Sequence, residues 1–408
     1  MRLGRRLLRG AGLMAPPLVA ALVVGARLIP GGTLWPWHPG GMMDLEVYQR
    51  TGRLVLAGAD FFHVAADQLP WSSPPCAAVV SVGWAWLPVD VAAAAWLAGC
   101  VLALALLLRR CGFHGWPLSA AATVCVLFVE PVRETLGFGQ MGVFLVALAC
   151  LDSLPRMRAR FGRSKAGGPG GLSPASPTLP PVDASRRESG PGGRGGVSSP
   201  ETVGRAVQRS GGTSGFRTVR VRRREGWLTG LATAVKLTPA LLAVYEFFSG
   251  RRRVGVVAFC SFLVCTALGF ALWQPSLYYW AALATGNSGV NDRIQFATNQ
   301  TVMGVWTRLS GSPSAIALAL SVALIVLGLV GAIRVGRRFP ALGFCLAGLT
   351  SLLGSPVSWS HHYVWVVPLA LALWDAPVAG GEAASPSGGG LADGSPRSAA
   401  WASPGGAG

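Results

Sequence analysis

Charged residues are scarce in this chain. Only 13% of its 408 residues are Asp, Glu, Lys or Arg, about half of the roughly 25% found in soluble globular domains. The shortage falls hardest on acids, with 17 Asp and Glu against 35 Lys and Arg and a formal charge of +18. A solvated globular enzyme is excluded, because 51% of the residues are hydrophobic and the mean hydropathy is +0.47. The basic residues cluster in short loops between apolar runs and in one Gly/Ser/Pro-rich segment. That distribution argues against a nucleic-acid partner and fits loops facing a cytoplasmic leaflet. The eight cysteines (76, 100, 111, 125, 150, 260, 265 and 345) form no CxxC or Cys/His spacing, so neither a zinc centre nor a disulfide framework is expected.

What remains is long apolar runs, and they predict an all-α polytopic membrane protein. The N-terminus is basic and then apolar, MRLGRRLLRG followed by AGLMAPPLVAALVVGARLI, with no small-x-small cleavage signal. It reads as an uncleaved first span over about 12–30 with its N-terminus inside. Further apolar segments lie at roughly 74–88, 91–108, 116–130, 137–152, 254–273, 314–333, 340–354 and 361–375. WLTGLATAVKLTPALLAVYEFF, from 227 to 248, has Lys236 and Pro239 in mid-run and basic triplets on both flanks. This pattern suggests two half-helices with the lysine at their turn.

Four regions follow: an N-terminal membrane module (1–152) with an external loop at about 31–73, a basic insertion (153–226), a C-terminal membrane module (227–375) and a low-complexity tail (376–408). The insertion and tail are too poor in apolar residues to fold alone. A polar loop is expected over 274–313. One crossing per run would place the basic insertion outside, against the positive-inside rule. One short run must therefore be a hairpin or non-spanning, and the count is about nine to twelve spans.

Ionisable groups near apolar runs are costly and mark functional sites. They gather in five places: Asp44, Glu46 and Tyr48; Glu130, Arg133, Glu134 and Gln140; Lys236; Arg293, Asn299, Gln300 and Arg308; and Ser358, His361 and His362. With the first span running outward and Arg251–Arg253 cytoplasmic, the first, fourth and fifth groups share the outer side. Residues 45–66 have weak helical periodicity and read as a short amphipathic helix on the bilayer surface. Asp44, just before LEVYQR, suits a helix N-cap as well as a base. Asp60 and His63 are secondary acid/base candidates in the same loop. Trp35, Trp37, Trp71 and Trp359 suit an aromatic belt, or stacking on sugar or polyprenyl surfaces.

The ordered set DLEVY (44–48), SSPPCAAVV (72–80), GFGQMGVFL (137–145), GLATAVKLTPAL (230–241), NQTVMGVWTRLSG (299–311) and SPVSWSHHYVW (355–365) resembles glycosyltransferase family 87. That family belongs to the GT-C superfamily of polyprenyl-phosphate-sugar-dependent enzymes. The resemblance implies a GT-C-type bundle that moves a sugar, usually α-mannose, from a polyprenyl monophosphate to a glycolipid hydroxyl. It also implies an essential aspartate in the first external loop, at Asp44. The implied setting is a bacterial cytoplasmic membrane, with the active site facing outside.

On this reading Asp44 takes the proton of the attacking hydroxyl. His361 and His362 contact the donor or act as acid/base groups. Lys236 stabilises the departing phosphate, with snorkelling to the interface as its alternative. Glu46, Tyr48, Gln140, Asn299, Gln300 and Ser358 would contact substrates, and Arg293 and Arg308 would clamp phosphate. Asp44 and Glu46 form a D-x-E pair, but two carboxylates two apart on a helix diverge, so a divalent metal is not favoured. No cofactor is expected. The expected partners are the polyprenyl-phosphate sugar, a glycolipid acceptor and membrane lipids. An arabinofuranosyltransferase, a lipid-linked-sugar transporter without chemistry, and an anchor presenting the basic insertion are the other readings. The transporter lacks an internal repeat, and the anchor leaves the polar outer residues without a role.

Overall fold

A computed structural model describes residues 2–25, 42–63, 69, 71–157, 225–272, 276–285 and 294–376, all within one compact unit. Most of the basic insertion, the tail beyond 376, Arg293, Trp35 and Trp37 lie outside the described residues. Every named element among the described residues is helical, apart from one isolated antiparallel bridge between Asn299 and Trp359. The all-α membrane class is therefore correct. Fifteen α-helices are described: α1 (Arg2–Gly25), α2 (Met43–Leu56), α3 (Pro75–Ser81), α4 (Val89–Arg110), α5 (Trp116–Phe128), α6 (Glu130–Phe138), α7 (Gly142–Ser153), α8 (Trp227–Val235), α9 (Ala240–Phe248), α10 (Arg252–Leu272), α11 (Ser276–Thr285), α12 (Val302–Ser310), α13 (Ala315–Arg338), α14 (Pro340–Leu353) and α15 (Val366–Asp375).

Three of the described helices are long and apolar enough to cross a bilayer: Val89–Arg110, Arg252–Ala271 and Ala315–Arg338. At 1.5 Å per residue these span about 30–36 Å, against a hydrocarbon core of about 30 Å. α4 is the most enclosed of the three, while α10 and α13 turn most of their leucines, valines and phenylalanines outward. That exposure is what a lipid solvent permits.

Other apolar runs are interrupted. The run at 74–88 becomes the short α3 and a 3₁₀ turn at Val82–Trp84. The run at 137–152 begins only at Gly142, because Gly139 ends α6 in the left-handed conformation at φ 71°. The polar loop expected over 274–313 contains α11 and α12. Between α8 and α9 the helix breaks as expected. Lys236 is extended (φ −151°, ψ 129°), and Pro239 has no N–H to continue the ladder.

α2 is more enclosed than a surface helix. Leu45, Val47, Tyr48, Gln49, Thr51 and Gly52 are buried. Gly52 sits where a Cβ would come within 2.3 Å of the Ser81 carbonyl oxygen, so α2 and α3 touch through backbone. Gln49 donates to the carbonyls of Trp84 and Leu87 at 3.2 and 2.9 Å, and Arg50 donates to the Leu69 carbonyl. These bonds hold α2 inside the protein.

At another corner the two sides of the insertion are tied together. Asp152 accepts from the backbone N–H of Gly226 and Thr229 and from the Thr229 hydroxyl at 2.9–3.0 Å. Arg251 donates to the Ser153 carbonyl and pairs with Glu225 and the fully buried Glu246. Removing its charge strands a buried carboxylate, which costs about 3–5 kcal/mol. Arg251→Leu is therefore expected to lower the midpoint of thermal unfolding in detergent markedly, whereas Glu225→Gln lowers it little.

Candidate functional site

Asp44 lies in the first turn of α2, a helix that is not among the spanning ones. It is not the cap that its sequence context allowed. The N-cap is Met42, in the left-handed conformation at φ 50° and without a side-chain cap bond. Asp44 and Tyr48 are four residues apart and share one side of α2, whereas Glu46 is exposed on another. The D-x-E pair therefore does not converge on one point. Among the described residues, no three His, Cys, Asp or Glu side chains are grouped to hold a metal ion.

Gln140 follows the α6 cap and meets Tyr48. The Tyr48 hydroxyl donates to Gln140 Oε1 at 3.1 Å. The approach depends on Gly139, because a Cβ there would lie 2.6 Å from Leu45 Cβ and 3.2 Å from Met42 Cβ. Met42 N–H also donates to the Gly137 carbonyl at 3.1 Å, closing the same junction. Left-handed backbone costs a non-glycine residue about 1–2 kcal/mol, and the clash adds to that. Gly139→Ala is expected to lower both thermal stability and turnover by forcing α2 and α6 apart at Leu45 and Met42. Unchanged values of both would show that the α2–α6 junction can shift freely.

Lys236 is the cation of the site. Its Nζ lies 2.6 Å from His362 Nε2, and its charge acts on Asp44 and on both histidines. The Trp359 N–H lies 3.1 Å from the other His362 ring nitrogen, Nδ1. A neutral imidazole accepts at one nitrogen only, so while Lys236 is charged Nε2 is the acceptor and the Nδ1 contact is not a hydrogen bond. His361 differs, because both of its ring nitrogens are buried without a partner. Its ring stands edge-on to His362 at 4.5 Å and lies 5.6 Å from the Phe138 ring. Unpaired buried polar atoms cost about 1–3 kcal/mol each, and His361 carries two of them. A small cavity beneath the Lys236–His362 contact is lined by Gly142, Thr238, Pro239, Leu352 and Trp365 among others.

The turn carrying the histidines is fixed by α6 and α7. Ser360 donates to Glu134, and the Thr135 hydroxyl, which donates to the Pro131 carbonyl at 2.7 Å, lies 3.2 Å from the His361 carbonyl. Gly142 lets that carbonyl approach, since a Cβ would come within 2.7 Å of it. Thr135 and the two glycines were not singled out from sequence. GFGQMG contains both glycines, and that spacing was their one visible sign.

Burial pushes the Asp44 carboxyl up to about 6, while the Lys236 charge and the Gln140 hydrogen bond pull it back. A base in that range is ionised at neutral pH yet basic enough to take a hydroxyl proton in flight.

Other sequence candidates lie in a neighbouring loop and hold it together. Asn299 is fully buried, its amide donating to the carbonyls of Ile294 and Pro356 and accepting from Ser358 N–H. Arg308 donates to the carbonyls of Phe296 and Asn299 at 2.9 Å. Ser358 shares a 2.8 Å hydrogen bond with Ser355, and Gln300 reaches the Ala297 carbonyl. These side chains brace the segment leading into the histidine turn. Asp60 and His63 pair with each other at 2.5 Å on the surface.

What this fold and site define is an all-helical membrane protein in which Asp44 lies within the electrostatic reach of Lys236. The pattern of glycosyltransferase family 87 matches residues 71–182 and 213–356, well over half of the chain. The chain belongs to glycosyltransferase family 87 and is a membrane glycosyltransferase. The matched ranges include Gln140, Lys236, Asn299, Gln300 and Arg308, while Asp44 and the histidines fall beyond them.

A Mycobacterium tuberculosis polyprenol-phosphate-mannose-dependent alpha-(1-2)-phosphatidylinositol mannoside mannosyltransferase is 27% identical over 374 residues, covering 82% of this chain and 71% of the relative. The Mycolicibacterium smegmatis enzyme of the same description is 28% identical over 408 residues, covering 88% and 76%. A Mycobacterium tuberculosis phosphatidylinositol pentamannoside mannosyltransferase is 28% identical over 386 residues, covering 89% and 73%. No solved structure matches the chain.

Proposed function

We propose that this chain transfers mannose from a polyprenyl-phosphate mannose to a hydroxyl of a phosphatidylinositol-mannoside-type glycolipid, with inversion to an α-(1-2) linkage, at the outer face of a bacterial cytoplasmic membrane. The observation that carries the proposal is the placement of Lys236. A helix break holds it against His362 and within electrostatic reach of Asp44. The descriptions of the relatives support the donor and the acceptor class.

The displacement needs one base and one cation. Asp44 removes the acceptor proton as the acceptor oxygen bonds the anomeric carbon. The bond from that carbon to the phosphate oxygen breaks, and the electron pair leaves with the polyprenyl phosphate. Lys236 balances the charge gathering on the phosphate, where a fixed cation acts most strongly in a water-poor site. His361 offers its unpaired ring nitrogens to the donor. No step is assigned to a metal or an organic cofactor.

The test is transfer of labelled mannose from synthetic polyprenyl-phosphate mannose to phosphatidylinositol mannosides in membranes containing the enzyme. An α-linked product is expected. Label passing only from an arabinofuranosyl donor, or crossing the bilayer without joining the acceptor, would overturn the assignment. Orientation is tested separately with His63→Cys, which puts a thiol on an exposed site of the Asp44 loop. An impermeant maleimide should label it in intact cells. Labelling only after lysis would place the loop on the cytosolic side.

A further inference from the structure

Arg133 is a cation with no counter-charge. It lies in α6, where the next residue, Glu134, takes the Ser360 hydroxyl beside the histidine turn. Four residues on, and on the same side of the helix, the Gly137 carbonyl accepts the Met42 N–H at the start of α2. Arg133 is therefore close in the fold to both segments that carry Asp44 and the histidines. Its side chain is half-buried, and Nε and Nη2 are shut off from solvent with no hydrogen-bond partner. Among the described residues the ion pairs are Asp60–His63, Glu225–Arg251 and Glu246–Arg251, so no carboxylate neutralises it. Arg50 and Arg308 differ, because each spends its guanidinium on main-chain carbonyls. An arginine cannot shed its proton to escape burial, so this one keeps a charge that an arriving anion would satisfy. Nη1 is not among the enclosed nitrogens, and with Nη2 it forms one edge of the guanidinium. A phosphate oxygen reaching Nη1 has the enclosed neighbour within bidentate range.

We infer that Arg133 binds the phosphodiester of the acceptor glycolipid, holding the acceptor by its anion while Asp44 meets its sugar hydroxyl. This rests on the proposed function, because a phosphatidylinositol-mannoside-type acceptor carries such a phosphodiester between its inositol and its glycerol. The donor phosphate has a separate cation in Lys236. Arg133 acts in recognition: it selects acceptors that bear the anion and leaves the displacement to Asp44 and Lys236. The phosphodiester of a bulk anionic phospholipid has the same chemistry, and the experiment separates the two sources.

The experiment compares two acceptors in phosphatidylcholine vesicles at saturating polyprenyl-phosphate mannose. One is a synthetic phosphatidylinositol mannoside, and the other an alkyl mannoside with the same terminal sugar and no phosphate. Wild type, Arg133→Met and Arg133→Lys are each checked by thermal unfolding. Arg133→Met is expected to lower kcat/KM for the phosphodiester acceptor about 10- to 100-fold, the range of a hydrogen bond to a charged group. The loss should lie mostly in acceptor KM and be far smaller for the alkyl mannoside. Arg133→Lys should recover part of it, since the charge returns without the fork. The unfolding midpoint of Arg133→Met should not fall, because an unpaired buried cation is itself a cost. Equal losses on both acceptors, or no loss on the phosphodiester acceptor, would overturn the inference. Phosphatidylglycerol vesicles test the other source. A lipid-induced rise in wild-type transfer to both acceptors that Arg133→Met abolishes would assign the arginine to bulk lipid and also overturn it. Absence of mannose transfer by the wild type refutes the proposed function, whereas wild-type transfer with an unmoved Arg133→Met refutes this subsite alone.

Discussion

Asp44→Asn is expected to lower turnover by about 100- to 10,000-fold, the span that a positioned general base contributes. The amide keeps the shape of the side chain, so insertion and folding should survive. What disappears is the negative charge, and with it the basicity that takes the acceptor proton. The measurement is labelled-mannose transfer at pH 7 to 8, normalised to folded enzyme. In the wild type, activity should rise with pH through about 6, where the buried carboxyl ionises, and then level off. The sign follows from the chemistry, because the ionised form is the base and burial holds the proton to a higher pH than in water. Near wild-type transfer by Asp44→Asn would remove this residue from the reaction.

Lys236→Met carries the second large effect. Methionine matches the length and apolar stem of lysine, so the helix break should persist while the charge is lost. Removing one preorganised stabiliser of developing negative charge costs about 100- to 1,000-fold in turnover. A snorkelling lysine would lose almost nothing. The two roles also differ in product inhibition. Polyprenyl phosphate alone should bind much more weakly to Lys236→Met than to wild type, while the acceptor KM stays close to its original value. Equal inhibition of both enzymes, with equal rates, would leave Lys236 no part in phosphate departure.

Much of this site was visible in the sequence, for a physical reason. A lysine inside an apolar run is expensive in lipid, so Lys236 declared itself without any knowledge of its neighbours. Pro239 showed where the helix had to break. Asp44, Tyr48 and the paired histidines stood out because ionisable groups are so few. Side chains that brace were harder to separate from side chains that bind. Asn299, Arg308 and Ser358 have the chemistry of sugar and phosphate contacts, yet their polar atoms face main-chain carbonyls, a neighbouring hydroxyl or each other. Gln140 was noticed, but its partners were not, since Tyr48 is 92 positions away in the chain.

Composition and the spacing of apolar runs, by themselves, determined an all-helical membrane protein, its broken helix and the few ionisable groups placed beside apolar runs. Those features follow from the cost of charge and unpaired backbone in hydrocarbon, which is local and readable one segment at a time. Only the tertiary structure decided that α2 is enclosed by protein, that His362 meets Lys236 while His361 is unpaired, and that Gln140 meets Tyr48. Each of these depends on which side chains meet across helices far apart in the chain, and helical periodicity carries no record of such meetings.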